Sequence, residues 1–179
     1  MAEWTLDPAH TAVEFSTRHM MVTTVRGQFQ KVSGTLNFDP QNPAASSIEV
    51  TIDAASLTTS VEDRDNHLRS PDFLDVANYP TITFKSTKVE MTGPNTGKIS
   101  GDLTMHGVTR PVVIDAEYLG EGKTPYGKTV TGFTGTTKIN REDWGLTWNV
   151  ALETGGWLVG KELTIRLDVE AIKVEPATV

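Results

Sequence analysis

Apolar and polar residues alternate along most of this chain, and this period of two predicts β-strands with one buried and one solvated face. The pattern is clearest in KELTIRLDVEAI, residues 161–172, where every second residue from Leu163 onward is apolar. It recurs in four shorter segments, SIEVTIDAA, TITFKS, KISGDLTM and PVVIDAEYL. Such alternation is typical of antiparallel sheets, because their strands turn one face to the core and the other to water.

Three further segments, residues 10–20, 26–39 and 127–140, bring the number of predicted strands to about eight. Several of these strands are long, on the order of ten residues. Eight antiparallel strands of such length favour closure into an elongated barrel over a sandwich of short strands. A change of phase at Gln30 and Lys31 predicts a bulge within the second of these segments.

One interruption of the strand pattern predicts a helix within SVEDRDNHLRSPDFLD, residues 60–75. Ser60 is the candidate N-cap, acidic residues follow in the first turn, and Pro71 must end or kink the helix. A second short turn is predicted at residues 19–23. We therefore expect an all-β protein with one or two short helices near the barrel ends.

The composition limits the classes of function that remain. The length suits a single domain over residues 1–179, with a core of about 3–173 and a short, loose C-terminal tail. The chain has no cysteine, which excludes thiol catalysis and Cys-ligated zinc. Its sixteen Lys and Arg are scattered among twenty-three acidic residues, and the net charge is −7. We expect no nucleic-acid partner, because such partners require a clustered basic face.

The chain also lacks the sequence features of membrane insertion. It has no apolar run of about 18 residues and no basic N-terminus followed by an apolar segment. We therefore expect no transmembrane segment and a cytoplasmic location, or a periplasmic one if a leader has been removed. A monomer and a homodimer are both compatible with the sequence.

The first long strand, HTAVEFSTRHM, carries a histidine at each end. Nine residue steps of about 3.3 Å separate His10 from His19 by roughly 30 Å in an extended strand, so the two cannot share one active site. We expect His10 to be structural and to bond backbone near the start of the strand. The four histidines show no i,i+4 pair and no HxH motif, so no metal site is predicted.

Two groups of residues are candidates for the mouth of a barrel and the head group of a ligand. Arg18 and His19 end the first strand, and Arg64 and His67 on the predicted helix form a competing mouth. The second group consists of three tryptophans. Their side chains can form an apolar wall at a mouth or fill the core. They are Trp144, Trp148 and Trp157.

Five blocks of the chain resemble the YceI-like family of polyisoprenoid-binding proteins. The most specific are RDNHLRSPDFLD followed by YPTITFKS, and LTMHGVTRPV. The others are DPAHTAVEFSTRHM with VRGQF, INREDWG, and GKELTIRLDVEAI. The resemblance runs from Trp4 to about Lys173 and so covers nearly the whole chain.

The resemblance implies a lipocalin-like antiparallel barrel that encloses a long isoprenoid or similar fatty-chain amphiphile, such as an isoprenoid quinone or prenyl phosphate. It implies no catalytic residues, no cofactor and no metal; the bound lipid is the ligand. From the strand phases we expect fifteen side chains to line the lumen. They are Val13, Phe15, Phe29, Leu36, Ile48, Val50, Ile82, Phe84, Leu103, Met105, Val112, Ile114, Phe133, Leu163 and Ile165.

Two other functions are compatible with the same pattern. A barrel enzyme, such as an isomerase or cyclase acting on a small apolar substrate, would need titratable side chains on the inward faces. The phase instead places Glu49, Asp53, Asp115 and Asp168 outward. A partner-binding sandwich whose apolar faces form an ordinary core is the third possibility.

Overall fold

The structure is a computed structural model, and it describes residues 1–175. The last four residues of the predicted loose tail lie outside the described residues. The strands are β1 (Ala2–Leu6), β2 (Ala12–His19), β3 (Thr23–Phe29), β4 (Val32–Phe38), β5 (Ser47–Asp53), β6 (Leu57–Thr58), β7 (Thr81–Met91), β8 (Thr96–Met105), β9 (Val108–Lys123), β10 (Thr129–Asn140) and β11 (Glu162–Lys173). One α-helix, α1 (Glu62–Arg69), and four short 3-10 helices complete the described elements.

Eight of these strands form a closed antiparallel ring, in the order β1, β4, β5, β7, β8, β9, β10 and β11, with β1 pairing back to β11. A branch of β2, β3 and β6 continues from β11. The predicted eight-stranded antiparallel barrel is therefore confirmed. The branch arises because three long segments of the chain are each interrupted once, between β1 and β2, between β3 and β4, and between β5 and β6.

The chain breaks these strands where it cannot continue a ladder. Pro8 has no N–H to donate, and the residues around it form a 3-10 helix between β1 and β2. The phase change predicted at Gln30 and Lys31 is present, but the predicted bulge is wrong: β3 ends and β4 begins there. Gln30 N–H donates to the Ser56 carbonyl and the Lys31 carbonyl accepts from Asp53, so both residues bond the segment that follows β5.

The helix begins later than predicted. Ser60 does not cap it: the residue has a left-handed φ of 67°, and the N-cap position is Val61, which has no side-chain cap. The reason is Asp65, whose buried carboxylate accepts from the Thr59 N–H at 2.8 Å and from the Thr59 hydroxyl at 2.5 Å. These bonds draw residues 58–60 back over the helix. The helix ends at Arg69, two residues before Pro71, as expected.

The connections gather at two ends of the barrel. We call one the helix end, which holds α1, the β2–β3 turn and residues 141–161. We call the other the hairpin end, which holds residues 39–46, 92–95 and 124–128. His19 is the last residue of β2 at the helix end, whereas His10 lies beside Glu170 toward the hairpin end of β11. The two histidines are therefore well separated, as the sequence predicts.

The ring is sealed by a small core where β1 meets β4 and β11. Trp4 is 1% exposed and Leu6 is 2% exposed, and they pack with Leu36, Phe38 and Ala171. The register pairs Leu6 with Ala171, so the leucine fills the space beside the smallest side chain of this cluster. Closure of the barrel thus depends on an apolar seam as well as on backbone bonds.

The backbone bond expected for His10 is made by its main chain, whose N–H donates to the Asp7 carbonyl at 3.1 Å, whereas its ring is held by carboxylates and not by backbone. Its Nδ1 lies 2.7 Å from Asp7 Oδ2 and 3.7 Å from Glu170 Oε1. The hydrogen bond with Asp7 raises the pKa of His10, and the Glu170 charge adds to this effect. The same hydrogen bond holds the pKa of Asp7 below its usual value. The 3-10 turn places His10 within reach of Asp7, and the nearby end of β11 supplies Glu170.

We expect Leu6→Ala to lower the free energy of unfolding by about 2–5 kcal/mol, because the truncation leaves a cavity in the seam. Thr5→Ala is the matched control, since Thr5 is the exposed neighbour on the same strand; its effect should stay within about 0.5 kcal/mol. Urea unfolding followed by circular dichroism measures both. Equal losses for the two variants would show that the seam does not hold the ring closed.

We expect His10→Ala to destabilise the protein more at pH 6 than at pH 9. A raised folded-state pKa means that the contribution of His10 is complete below its unfolded pKa of about 6.5 and is lost as the pH rises through the folded value. The lowered pKa of Asp7 means that its share is complete above about 3.9 and is lost in acid. Unfolding curves at both pH values test this, with Thr5→Ala as a pH-independent control. The same loss at pH 6 and pH 9 would contradict an ionic role for His10.

Candidate functional site

A large cavity of about 700 Å³ occupies the barrel lumen and reaches from the helix end to the hairpin end. This volume lies within the range of about 300–1,000 Å³ that is usual for small-molecule sites. All fifteen residues that the strand phases predict for the lumen line this cavity. Glu49 and Thr51, on the opposite phase of β5, are exposed on the outer surface. That the fifteen side chains hold a ligand stays a prediction.

The cavity has more lining residues than the sequence predicted. Some lie on strand phases that the alternation already marked as apolar, and the signal for them was present: Ile52, Ile99, Leu167 and Val169. Others come from connections, where no periodicity exists to mark them: Phe73, Arg141, Leu146, Leu158 and Val159. The strand pattern thus finds the wall of the lumen but not its closure at the helix end.

Arg18 and His19 border the cavity, but they do not act as a pair. Successive residues of a strand face opposite sides, and on β2 the inward phase is Val13, Phe15, Thr17 and His19. Arg18 is on the outer phase and is exposed, although it borders the cavity at the helix end, and its contact with a head group stays a prediction. His19 remains at the rim and forms an isolated bridge with Val159.

Arg64 lines the cavity from α1 and is partly fixed there. Its Nε donates to Thr59 Oγ1 at 2.7 Å and its Nη2 donates to the Thr59 carbonyl at 3.0 Å. These bonds use two of the five N–H donors of a guanidinium, and the other three have no hydrogen-bond partner among residues 1–175. The helix itself is anchored by Asp65 and by Arg69, which donates to the carbonyls of Ala55 and Leu57.

Burial alone would raise the pKa of the Asp65 carboxyl. The hydrogen bonds from Thr59 and Thr58, together with the charge of Arg69, outweigh that effect and hold the pKa below its usual value. Asp65 is therefore an anchoring carboxylate that stays ionised near neutral pH. It is absent from the cavity lining.

His67 belongs to an aromatic cluster at the rim. Its ring lies edge-on to Trp148, with centroids 4.6 Å apart, and to Phe73 at 5.1 Å. Its Nε2 lies 2.9 Å from Asp72 Oδ2. Trp148 lines the cavity, as predicted for a tryptophan at a mouth. The ring contacts fix Trp148 across the opening next to α1.

The two mouths that the sequence left in competition are one. Arg141 connects them: its guanidinium lies 5.8 Å from the Phe73 ring, and its Nε donates to the Gly160 carbonyl at 2.8 Å. Gly160 N–H in turn donates to the Arg18 carbonyl, next to His19. His19, Arg64 and His67 therefore surround the same helix end.

Arg141 is the functional candidate that sequence reasoning missed. It is 2% exposed and lines the cavity. Its guanidinium donates to three carbonyls, of Gly160, Leu146 and Val159. Desolvation lowers its pKa, and Glu142 opposes this shift. Because arginine stays protonated in proteins, the helix end of the lumen holds a buried positive charge.

Two of the three tryptophans expected at the mouth lie elsewhere. Trp144 is 2% exposed and donates from Nε1 to the Leu103 carbonyl at 2.9 Å, so it is a core residue. Trp157 is 46% exposed and lies outside the cavity lining, beside the Lys161 ammonium. Burial of Trp144 is favourable because its large apolar surface leaves water while its indole N–H keeps a hydrogen-bond partner.

Among residues 1–175, one group could offer three metal ligands, namely Asp7, His10 and Glu170, whose ligand atoms lie within 4.8 Å of one another. The His10 side chain is 63% exposed, and the ion pairs already described account for the arrangement. The group lies outside the cavity and is not part of this site. None of the described helices is long and apolar enough to cross a membrane.

The fold and sequence match known proteins over nearly the whole chain. A family model for the YceI-like domain covers residues 4–171. A UPF0312 protein of Vibrio cholerae is 42% identical over 147 residues, which are 81% of this chain and 78% of the relative. The crystal structure of BcnA from Burkholderia cenocepacia has a TM-score of 0.79 at 25% identity and covers 92% of this chain and 98% of its own.

A more distant structure shares the fold alone. It is a polyisoprenoid binding domain from Saccharophagus degradans, implicated in plant cell wall breakdown, with a TM-score of 0.67 at 14% identity. It covers 97% of this chain and all of its own. The matches to the family model and to the Vibrio cholerae relative confirm the resemblance found in the sequence. This chain belongs to the YceI-like family.

Proposed function

We propose that the barrel binds one long-chain isoprenoid or a similar amphiphilic lipid in its lumen, for storage, transport or sequestration. The observation that carries this proposal is the cavity itself: it is continuous along the barrel and its wall is built from the apolar phases of the strands. In this proposal the lipid is the ligand of the barrel and no cofactor is required. The name of the Saccharophagus degradans domain supports the same class of ligand.

The length of the strands favours a linear ligand over a compact one. Strand β10 has 12 residues and β9 has 16. Twelve residues at about 3.3 Å each span on the order of 40 Å along the strand. Because strands of such barrels are inclined to the axis by about 40°, this length corresponds to about 30 Å along the axis. An extended chain fits a lumen that is long and narrow.

Burial of the chain supplies most of the binding free energy. Each methylene removed from water contributes about 0.8 kcal/mol, so ten methylenes contribute roughly 8 kcal/mol before the costs of ordering. A charge-assisted hydrogen bond contributes only about 1.5–3 kcal/mol. Chain length should therefore influence affinity more than head-group chemistry does.

The arrangement of charges favours a binding protein over the barrel enzyme considered above. Among the described residues that line the cavity, the one carboxylate is Asp63, which is exposed at the helix end. Asp115 and Asp168 face the outer surface. General acid–base catalysis needs such groups within hydrogen-bond reach of the substrate. The apolar interior offers contacts to a chain and few groups to react with it.

We propose that an anionic head group, such as a prenyl phosphate, lies at the helix end. Arg64 has N–H donors there that no described residue accepts, Arg141 adds a buried positive charge, and His19 and His67 lie at the rim. An anion gains from such charges because they are partly removed from water. An isoprenoid quinone would use the same lumen without needing these cations.

Organic extracts of the purified protein, analysed by mass spectrometry, should contain a co-purifying long-chain lipid. Titration with alcohols of increasing chain length should give an affinity that rises steadily until the lumen is filled, because each added methylene contributes the same burial term. Affinities that do not change with chain length would contradict binding in the lumen. Between an alcohol and a phosphate of equal chain length, we expect a smaller difference in affinity than between a short and a long alcohol.

Arg64→Gln should weaken a prenyl phosphate by about ten- to a hundredfold and leave the matching alcohol nearly unchanged, since it removes the charge but keeps a donor for Thr59. Arg166→Gln is the matched control and should affect neither ligand, because Arg166 is exposed on the outer phase of β11 and lies outside the cavity lining. Titrating both variants with a matched alcohol and phosphate measures the difference. A phosphate-selective loss in the Arg166 variant, or no such loss in the Arg64 variant, would contradict the placement of the head group beside Arg64.

A further inference from the structure

The two ends of the lumen differ in charge. At the helix end the lining includes Arg64, Arg141 and His67. At the hairpin end the described lining residues are uncharged: besides prolines and a methionine they include Ser46, Asn95 and Thr96. The apolar lumen between them separates these two polar regions. The described lining of the hairpin end is therefore polar but uncharged, unlike that of the helix end.

Ser46 is unusual at this end. Its Oγ is buried and has no hydrogen-bond partner within the described part of the chain, although the residue lines the cavity. No other buried side-chain nitrogen or oxygen among residues 1–175 shares this property. Buried polar groups are nearly always paired, because an unpaired one retains its desolvation cost. This Oγ has almost no accessible surface even with the lumen empty, so a ligand group can pair with it only after the Ser46 side chain turns to another staggered rotamer.

The surroundings of Ser46 are suited to a polar group on an apolar chain. Asn37 and Ser47 are the last pair of the β4–β5 register, so Phe38 and Ser46 follow them at the mouth of this hairpin. Phe38 packs against Tyr118 and Phe133, with centroid distances of 5.1 and 5.0 Å, and all three rings line the cavity. A rigid aromatic wall thus stands beside a hydroxyl that has no partner among the described residues.

We propose that the hairpin end is a second head-group subsite, which takes an uncharged hydroxyl or carbonyl group and bonds it through Ser46 Oγ once this side chain turns toward the lumen. The inference rests on the proposed lipid binding and deepens it. An anionic head would be disfavoured at this end, because burial of a charge without a cation costs far more than burial of a neutral polar group. Neutral and anionic amphiphiles therefore lie in the lumen in opposite directions.

The test compares phytanol, phytane and phytanyl phosphate, which share one branched chain and differ in the head. Ser46→Ala should weaken phytanol by about three- to tenfold, the equivalent of one neutral hydrogen bond. It should leave phytane and phytanyl phosphate unchanged, because the first has no head group and the second places its head at the helix end. The melting temperature of the ligand-free variant should not fall, since the substitution removes an unpaired buried atom.

Ser47→Ala is the matched control. Ser47 also borders the cavity, but it is exposed and its Oγ already accepts from Asn37 at 3.4 Å, so all three affinities should stay the same. A lower melting temperature for Ser46→Ala, with equal losses for the three probes, would make Ser46 structural and overturn the subsite. Equal affinity of the wild type for phytanol and phytane would also overturn it and leave lumen binding intact. Failure of all three to bind the wild type would overturn the proposed function itself.

Discussion

The constraint on which the structure depends is the alternation of side chains in a closed ring of strands. Once β1 pairs with β11, every strand of the ring must direct one of its two phases into a common interior. A single charged residue on that phase would then be buried without a partner, at high cost. The apolar lumen and the location of charges at its ends both follow from this geometry. The ends, where alternation stops, are the places where polar chemistry can enter.

The period-two pattern made the fold and the wall of the lumen predictable. On β5, Ile48, Val50 and Ile52 face inward and Glu49 and Thr51 face outward, as the pattern requires. Each strand carries this information locally, so no knowledge of its partners is needed. The count of eight alternating segments matches the number of strands in the ring, and closure was predictable because long antiparallel strands remove their edges by closing. The membership differs: β1, which closes the ring, was not among the predicted segments, and residues 10–20 form β2 in the branch.

The end regions were less predictable, because their geometry is set by contacts between residues far apart in the chain. Arg141 is buried through carbonyls that only the folded connection 145–160 brings to it. Ser60 has the residue type of an N-cap, yet the carboxylate of Asp65 determines where α1 begins. Arg18 and His19 are adjacent in sequence, and the pleat directs their side chains to opposite faces of β2. Sequence patterns identify residue types at these positions but not the partner that decides each conformation.

The branched sheet has a mechanical consequence. Within residues 1–175, β3 pairs on its outer side with β6 only at Gln28 and Phe29, and the wall beyond that point continues through α1. Side-chain bonds from Asp65 and Arg69 fasten the helix there, whereas main-chain ladders join the neighbouring strands around the ring. Separation of the wall at this segment breaks a few side-chain contacts, whereas separation of two neighbouring strands of the ring breaks the main-chain hydrogen bonds between them. We therefore expect the barrel wall to deform more easily at α1 than between the strands of the ring.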